Sequence, residues 1–346
     1  MSSVTYWWRE QLVDYEGINL REIDREAFSS LVEKHRYELQ VHSYRMLGSL
    51  QDAEDMVQES FLRAWRGRET FEGRASVRAW LYKICTNVCL DTLKRKPQRY
   101  IPLTREAVSN PAEPIPPEVR EPIWLEPYPD HLLALNEDDP EERLSAREQI
   151  TLAFIAALHL LPPRQRAVLL LCDVLDWQAS EAADVLDTTV SAVKSALHRA
   201  RSTLAVHDAA LNTASTDILD DLMRGRLNDY VRAWEQADVD ALVELLKEDA
   251  TFSMPPIPSW YRGKACIRDL TARTIFSGQA RGRWRMLPTR ANRQPAFGLY
   301  RQSSDGKTYD AYGIQVLSIH DHQIADIITF RSPGLLRYFD LPSSLT

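Results

Sequence analysis

Apolar residues recur at helical spacing through the first third of the chain. Phe28, Leu31, Val32 and Leu39 open the pattern, Val57, Phe61 and Ala64 continue it, and Trp80, Ile84 and Val88 close it. Gly48 and Gly73 punctuate these runs, and Pro97 stops the last helix directly after Lys94, Arg95 and Lys96. The spacing predicts a helical domain over residues 23–99. Over 100–140 the periodicity disappears. Between Pro102 and Pro140 stand about nine prolines and many acids, which predicts a linker. The apolar island Ile123, Trp124, Leu125 and Tyr128 predicts that part of this linker docks on something. A second helical domain is expected over 141–206. One helix around Thr151–Leu161 stops at Pro162-Pro163, and the next, from Arg164, carries Val168, Leu169 and Leu171. Two short helices follow, joined near Asp187-Thr188-Thr189, and Ala205–Thr216 reads as a second short linker.

The tail, 217–342, changes character. Leu222–Leu246 is amphipathic and helical, with Tyr230, Trp234, Leu242 and Leu246. Later, Tyr309–Ile319, the turn Asp321-His322-Gln323 and Ile324–Phe330 predict a hairpin rich in β-branched and aromatic residues. Helix first and sheet afterwards is an α+β signature. At 346 residues, two or three cores are expected.

Hydrophobic residues at 44% and charged ones at 26% exclude a disordered chain. The apolar run Thr151–Leu161 is too short to span a bilayer, and Arg9 and Glu10 follow Trp7 and Trp8 too soon for a signal peptide. A cytoplasmic protein without membrane contact is therefore expected. Four cysteines make no disulfide framework. Cys85 and Cys89 share a helix face, as buried thiols or as a metal or redox pair; no further ligand follows at metal spacing, so no metal and no cofactor is expected.

The net charge of −7 argues against a nucleic-acid partner until it is mapped. Arg74–Arg99 holds about seven cations and the single acid Asp91, and Thr188–Leu204 holds Lys194, Arg199 and Arg201 with no acid. Arg105–Glu148 carries about twelve acids against four cations. Local charge decides where phosphates dock, so both basic segments remain candidates for DNA binding.

The segment Asp52-Ala-Glu-Asp-Met-Val-Gln-Glu-Ser-Phe-Leu-Arg-Ala-Trp65 begins with Asp52 as candidate N-cap and Asp55 in the first turn. Asp55, Gln58, Glu59 and Leu62 form an acidic face with an apolar edge, which by itself is also how a solvated helix face reads. The segment resembles region 2.2 of extracytoplasmic-function sigma factors, a branch of the sigma-70 family. The resemblance implies that Asp52, Asp55, Gln58, Glu59, Leu62 and Trp65 meet the clamp of the polymerase β′ subunit. It continues through Phe71–Lys96, similar to the family's element that reads the −10 sequence and melts the strands. There Asn87, Asp91 and Lys94 share a face with Arg95 beside them, an amide suited to base edges and cations suited to phosphates. Trp80 suits base stacking, although its spacing with Ile84 and Val88 also fits a core position.

Leu161-Pro-Pro-Arg-Gln-Arg leads into a helix-turn-helix, as in region 4 of the same family, which reads the −35 element beside the β flap. Ala183, Val190, Val193 and Leu197 supply its inner face. Thr189, Ser191, Lys194, Ser195, His198, Arg199 and Arg201 are left for the DNA side. Asp187 stands where the turn usually has Gly, and Asp tolerates the left-handed conformation. Ala196 stands where many relatives have Arg.

Ile-Trp-Leu-Glu-Pro-Tyr-Pro-Asp130, with Met254-Pro-Pro and Trp260-Tyr-Arg-Gly263, resembles the group whose members carry a SnoaL-like C-terminal domain. The resemblance implies two all-α sigma domains followed by an α+β cone-shaped barrel. Trp234, Phe252, Trp260, Tyr261, Trp284, Tyr300 and Tyr312 either line a ligand pocket in that cone or fill it. Asp249 and Asp326 are the acids available for catalysis, but both are expected at element ends; His320 and His322 are expected to face solvent. The expected function is promoter-specific initiation with core polymerase, by a protein that is a monomer when free, whose tail regulates it and is a candidate site for a small ligand or regulator, and not an enzyme. The competing classes are a ligand-responsive repressor and a SnoaL-type isomerase or hydrolase fused to a DNA-binding module.

Overall fold

The computed structural model describes residue 20 and residues 22–71, 73, 75–119, 124–133, 150–211 and 221–346. Helix α1, Arg25–Glu33, starts where Asp24 accepts the Ala27 N–H at 2.8 Å, and it buries Phe28, Leu31 and Val32. Helix α2, Arg36–Leu47, ends at Gly48 with φ 69°. A Cβ there would stand 2.3 Å from Leu125, so the close approach of the linker demands glycine. Helix α3, Leu50–Gly67, is capped by Ser49 and not by Asp52, which lies a turn further in. Helix α4, Val77–Leu93, is capped by Ser76 and stops just before the Lys94–Lys96 run.

The linker is not loose. It opens with a turn of helix, α5, Pro102–Arg105. Tyr100 bridges to Trp124 in parallel, and Leu125 and Tyr128 are buried. Of the predicted apolar island, Ile123 lies outside the described residues, as do 134–149 at the start of the second helical domain.

That domain contains α6, Leu152–Leu158, capped by Thr151, and α7, Pro163–Leu169. A wider turn over Leu170–Val174 leads to α8, Ala179–Val185, and α9, Val190–Leu211. Asp187 adopts φ 47°, the left-handed conformation anticipated for it. Helix α9 runs through the expected boundary at Val206, so the first part of the predicted second linker is helix.

In the tail the expected single helix is two: α10, Asp221–Gln236, and α11, Val239–Glu244, broken at Ala237 (φ 54°) and restarted by the Asp238 cap. Strand β1, Leu246–Ser253, follows, then β2, Trp260–Arg262, and helix α12, Lys264–Leu270. Strands β3, Trp284–Ala291, β4, Gln294–Gln302, β5, Tyr309–His320, and β6, Gln323–Phe330, complete the main sheet. Its order is β2-β1-β6-β5-β4-β3, with β1 and β6 parallel and a short β7, Ser344–Leu345, added to β5. The β5–β6 turn is the two residues Asp321 and His322, both at positive φ, because Gln323 already pairs with His320.

Two cores result. One surrounds the cone, with Trp234, Phe252, Trp284, Phe297 and Leu317. The other joins both helical domains, the linker and the outer face of the sheet, including Tyr44, Leu125, Tyr128, Leu158, Ala296, Tyr300 and Val316. No helix among the described residues is long and apolar enough to cross a membrane.

Candidate polymerase and promoter surfaces, and the tail cavity

On α3 the amphipathic spacing turns Val57 and Ala64 into the core and leaves Asp55, Gln58 and Leu62 outside. Leu62 is 51% exposed, a large apolar side chain standing among polar and charged neighbours. Glu59 is half-buried and pairs with Arg63 at 2.7 Å. Trp65 is only partly exposed: its ring meets Phe28 edge-on at 5.2 Å, with Arg68 over it at 3.9 Å.

Asp52 does not belong to this surface. It is 8% exposed and turned inward, bound by Lys96 at 2.7 Å and Arg99 at 3.0 Å. Burial opposes its charge, but these two cations outweigh burial and hold the carboxyl below the usual aspartate range. Arg99 also donates to Trp124 O at 2.9 Å and lies 3.4 Å from Glu126, so Asp52 ties α3 to the linker.

On α4, Trp80 is partly buried against Phe71, with ring centroids 5.0 Å apart. Asn87 is half-buried, whereas Lys94 and Arg95 are exposed. Lys94 donates to Asp91 at 2.9 Å and holds that carboxyl below its ordinary value. Cys85 and Cys89 are free and buried in the core, and no group of three or more metal-ligating side chains is assembled among the described residues.

Thr189 caps α9, accepting the Ala192 N–H at 3.2 Å. Ser191, Lys194, Ser195, His198 and Arg199 are exposed together with Thr189. Arg201 is exposed too, but it is held by Asp173 through two bonds of 2.6 and 2.9 Å. Val193 is buried as expected; Val190, in the first turn of α9, is exposed.

In the tail a cavity of about 150 Å³ is lined in part by Trp234, Phe252, Trp284 and Tyr312. The other three aromatic candidates lie elsewhere. Trp260 donates its indole N–H to Glu106 O at 2.8 Å and so binds the linker. Tyr261 is buried in the wall of the cone, and Tyr300 faces the opposite side of the sheet, donating to Pro342 O at 2.9 Å. Asp249 and Asp326 sit within β1 and β6 and not at their ends. Asp249 is exposed, Asp326 accepts the Thr251 hydroxyl at 2.6 Å, and neither lines the cavity. His322 is exposed, whereas His320 is half-buried beside Asp321 at 2.6 Å.

Comparison with known proteins matches Sigma-70 region 2 over residues 31–99, Sigma-70 region 4 over 151–204 and a SnoaL-like domain over 227–327. The ECF RNA polymerase sigma factor SigG of Mycobacterium tuberculosis is 40% identical over 324 residues, covering 93% of this chain and 85% of that one. The chain belongs to the extracytoplasmic-function RNA polymerase sigma factors. A second relative, SigJ of the same organism, is 31% identical over 63% of this chain and 62% of its own. The crystal structure of Mycobacterium tuberculosis SigJ shares the fold, with a TM-score of 0.57 at 22% identity, over 91% of this chain and all of that one.

This sigma factor is thus a transcription initiation factor, whose partners are core RNA polymerase and promoter DNA. The repressor reading leaves a match over nearly the whole chain unexplained. Sequence reasoning missed the residues that join its parts. Tyr44 donates to Glu126 O at 2.7 Å, and Asn292 donates to the Tyr44 hydroxyl at 3.0 Å and to Ile150 O at 2.7 Å. Arg166, wholly buried, donates to Leu158 O, Leu161 O and Met46 O and so pins the second helical domain to α2. Arg166 lies within the Leu-Pro-Pro-Arg-Gln-Arg motif, yet nothing local marks its inward direction.

Proposed function

We propose that this sigma factor rests in a closed arrangement that must open for promoter recognition, and that the tail and linker hold it closed. The observation that carries this reading is the contact between α4 and the helix-turn-helix. Lys83 on α4 lies 2.5 Å from Asp187 in the turn and donates to Asp184 O at 2.9 Å. Elements near −10 and −35 are separated by roughly 25 base pairs, about 85 Å of duplex at 3.4 Å per step. Two readers in direct contact do not span that distance, so the second domain must move away from the first.

In the open state, residues 23–99 bind core and the −10 element, and the second helical domain, which we extend from 141–206 to Leu211, binds the −35 element. Asp55, Gln58, Glu59 and Leu62, with the edge of Trp65, meet the β′ clamp. Asn87, Lys94 and Arg95 meet the −10 strand beside Trp80, with Asp91 orienting Lys94. Ser191, Lys194, Ser195, His198 and Arg199 face the −35 groove behind the Thr189 cap, near the β flap, and Arg201 joins them once it leaves Asp173. The tail, 217–342, is the regulatory unit, acting through the linker 100–140; its cavity takes a small molecule. The free protein is a monomer.

Run-off transcription from fragmented genomic DNA, with core polymerase and with or without the protein, tests the initiation surfaces. Discrete new starts are expected, weakened by Lys194→Ala with Arg199→Ala; that pair leaving every start unchanged would remove the −35 assignment. Energy transfer between dyes at Arg95→Cys and Ser195→Cys, with Cys172 and Cys266 replaced by Ser, tests the closed state. Transfer should fall when core is added. Constant transfer in the polymerase complex would overturn the closed-to-open reading.

A further inference from the structure

The tail cavity mixes apolar walls with cations. Beside Trp234, Phe252 and Leu299 its lining includes Arg283, Arg301 and Arg331, with no carboxylate among the described lining residues. Arg301 lies over the Trp284 ring at 6.0 Å, and Arg331 over the Tyr312 ring at 5.2 Å. Trp284, 5% exposed, has its indole N–H buried without a hydrogen-bond partner among the described residues, and so has Arg331 at Nε. Arg301 is exposed at the rim and Arg283 donates to Ser277 O and Gln279 O, so the unmet buried donors of Trp284 and Arg331, with a cationic rim around them, describe a place suited to an anion.

A carboxylate already reaches this rim from the linker. Glu118 pairs with Arg331 at 3.0 Å, next to the bond from Val119 N to Pro256 O at 2.9 Å. Ile115 of the same segment forms part of the cavity wall. The linker therefore supplies both a lid residue and an internal counter-ion.

We propose that the cavity binds a small apolar carboxylic acid as its anion, and that this acid displaces Glu118 from Arg331 and loosens the linker. A cavity of about 150 Å³ whose walls are partly apolar accepts a benzene-sized body, and an arginine fork matches a carboxylate in two parallel bonds. The effect on transcription rests on the regulatory reading above; the binding itself does not.

Calorimetric titration of the intact protein with benzoate and hexanoate, against benzamide and hexanamide at fixed ionic strength, tests the site. Each acid should bind at least about tenfold more tightly than its amide, the scale of a hydrogen bond to a charged group. Arg301→Gln should erode that preference, and Arg331→Gln more so, while amide binding persists. Glu118→Gln should tighten acid binding and leave the amides unchanged. Amides binding as well as acids, or no saturable acid binding in either the native protein or Glu118→Gln, would overturn the proposal, and neither result needs an arginine variant to fold. Hydrogen exchange over 106–119 should quicken at saturating benzoate; unchanged exchange would overturn the linker displacement. Bound acid that quickens exchange but leaves run-off transcription unaltered would uphold the site and count against the regulatory reading of the tail.

Discussion

The two faces of the tail sheet both bury apolar side chains and behave differently. Along β4, Ala296 and Tyr300 point to one side and Phe297 and Leu299 to the other. The first side is covered by the chain's own C-terminal segment, with Leu335, Leu336 and Phe339, and by the linker and both sigma domains, merging into one core with Tyr44, Tyr128 and Leu158. The second closes on α10 and leaves a hollow lined by Trp284, Phe252 and Leu299. Apolar surface by itself therefore does not say whether a face holds the molecule together or waits for a ligand. What fills the face decides, and here the filling combines the C-terminal segment 333–345 with linker and helices far away in sequence.

The comparison breaks most strongly where the linker is anchored against the filled side. Asp52→Ala leaves Arg99 buried without its nearest carboxylate, and should cost about 3–5 kcal/mol in urea denaturation. Next comes Asn292→Ala, at a wholly buried side chain that accepts the Tyr128 N–H at 2.7 Å and donates to Tyr44 and Ile150. Stranded partners and φ 53° at a residue with a Cβ and no polar group should together cost about 2–4 kcal/mol. Calorimetry should then resolve the tail from the sigma domains as separate transitions. On the hollow side, Trp284→Phe removes an N–H that has no partner among the described residues and enlarges an existing void, so about 1 kcal/mol is expected. A loss as large as that for Asn292→Ala would erase the contrast between the faces. Smallest is Lys83→Ala, which removes an exposed pair worth under about 1 kcal/mol. Its stability change should be hard to detect, while core binding, measured by fluorescence anisotropy, should tighten as the closed state loosens.

Acid sharpens the same contrast. The folded-state value of Asp52 lies below its unfolded value, so its contribution is fully present above about pH 4 and is lost as pH falls through the lowered value. Asp52→Asn should flatten the acid limb of the stability profile below about pH 4, as read by circular dichroism.

Much of this was legible along the chain because the signals are local. Helical spacing marked Val57, Ala64 and Val88 as core, and an acid in the left-handed turn at Asp187 was foreseeable from the conformations Asp tolerates. The exposed set on α9 followed from the same 3.6-residue period. Asp52 was misplaced because a carboxylate near a helix start looks alike whether it caps, faces a partner or turns inward. Its direction was set by Lys96 and Arg99, more than forty residues later. Trp260 and Tyr300 were misplaced for a related reason, since an aromatic in a strand announces burial but not which of two buried faces it serves.

The order of helices and strands, the basic segments and the family motifs thus reside in short stretches, where propensity, period and charge act between neighbours. The meeting of Tyr44 with Asn292, the inward turn of Arg166, the Glu118–Arg331 pair and the hollow beside it exist only in the folded chain. Each depends on segments brought together by a shared core, and buried polar groups find partners by position in space, whatever their distance along the sequence.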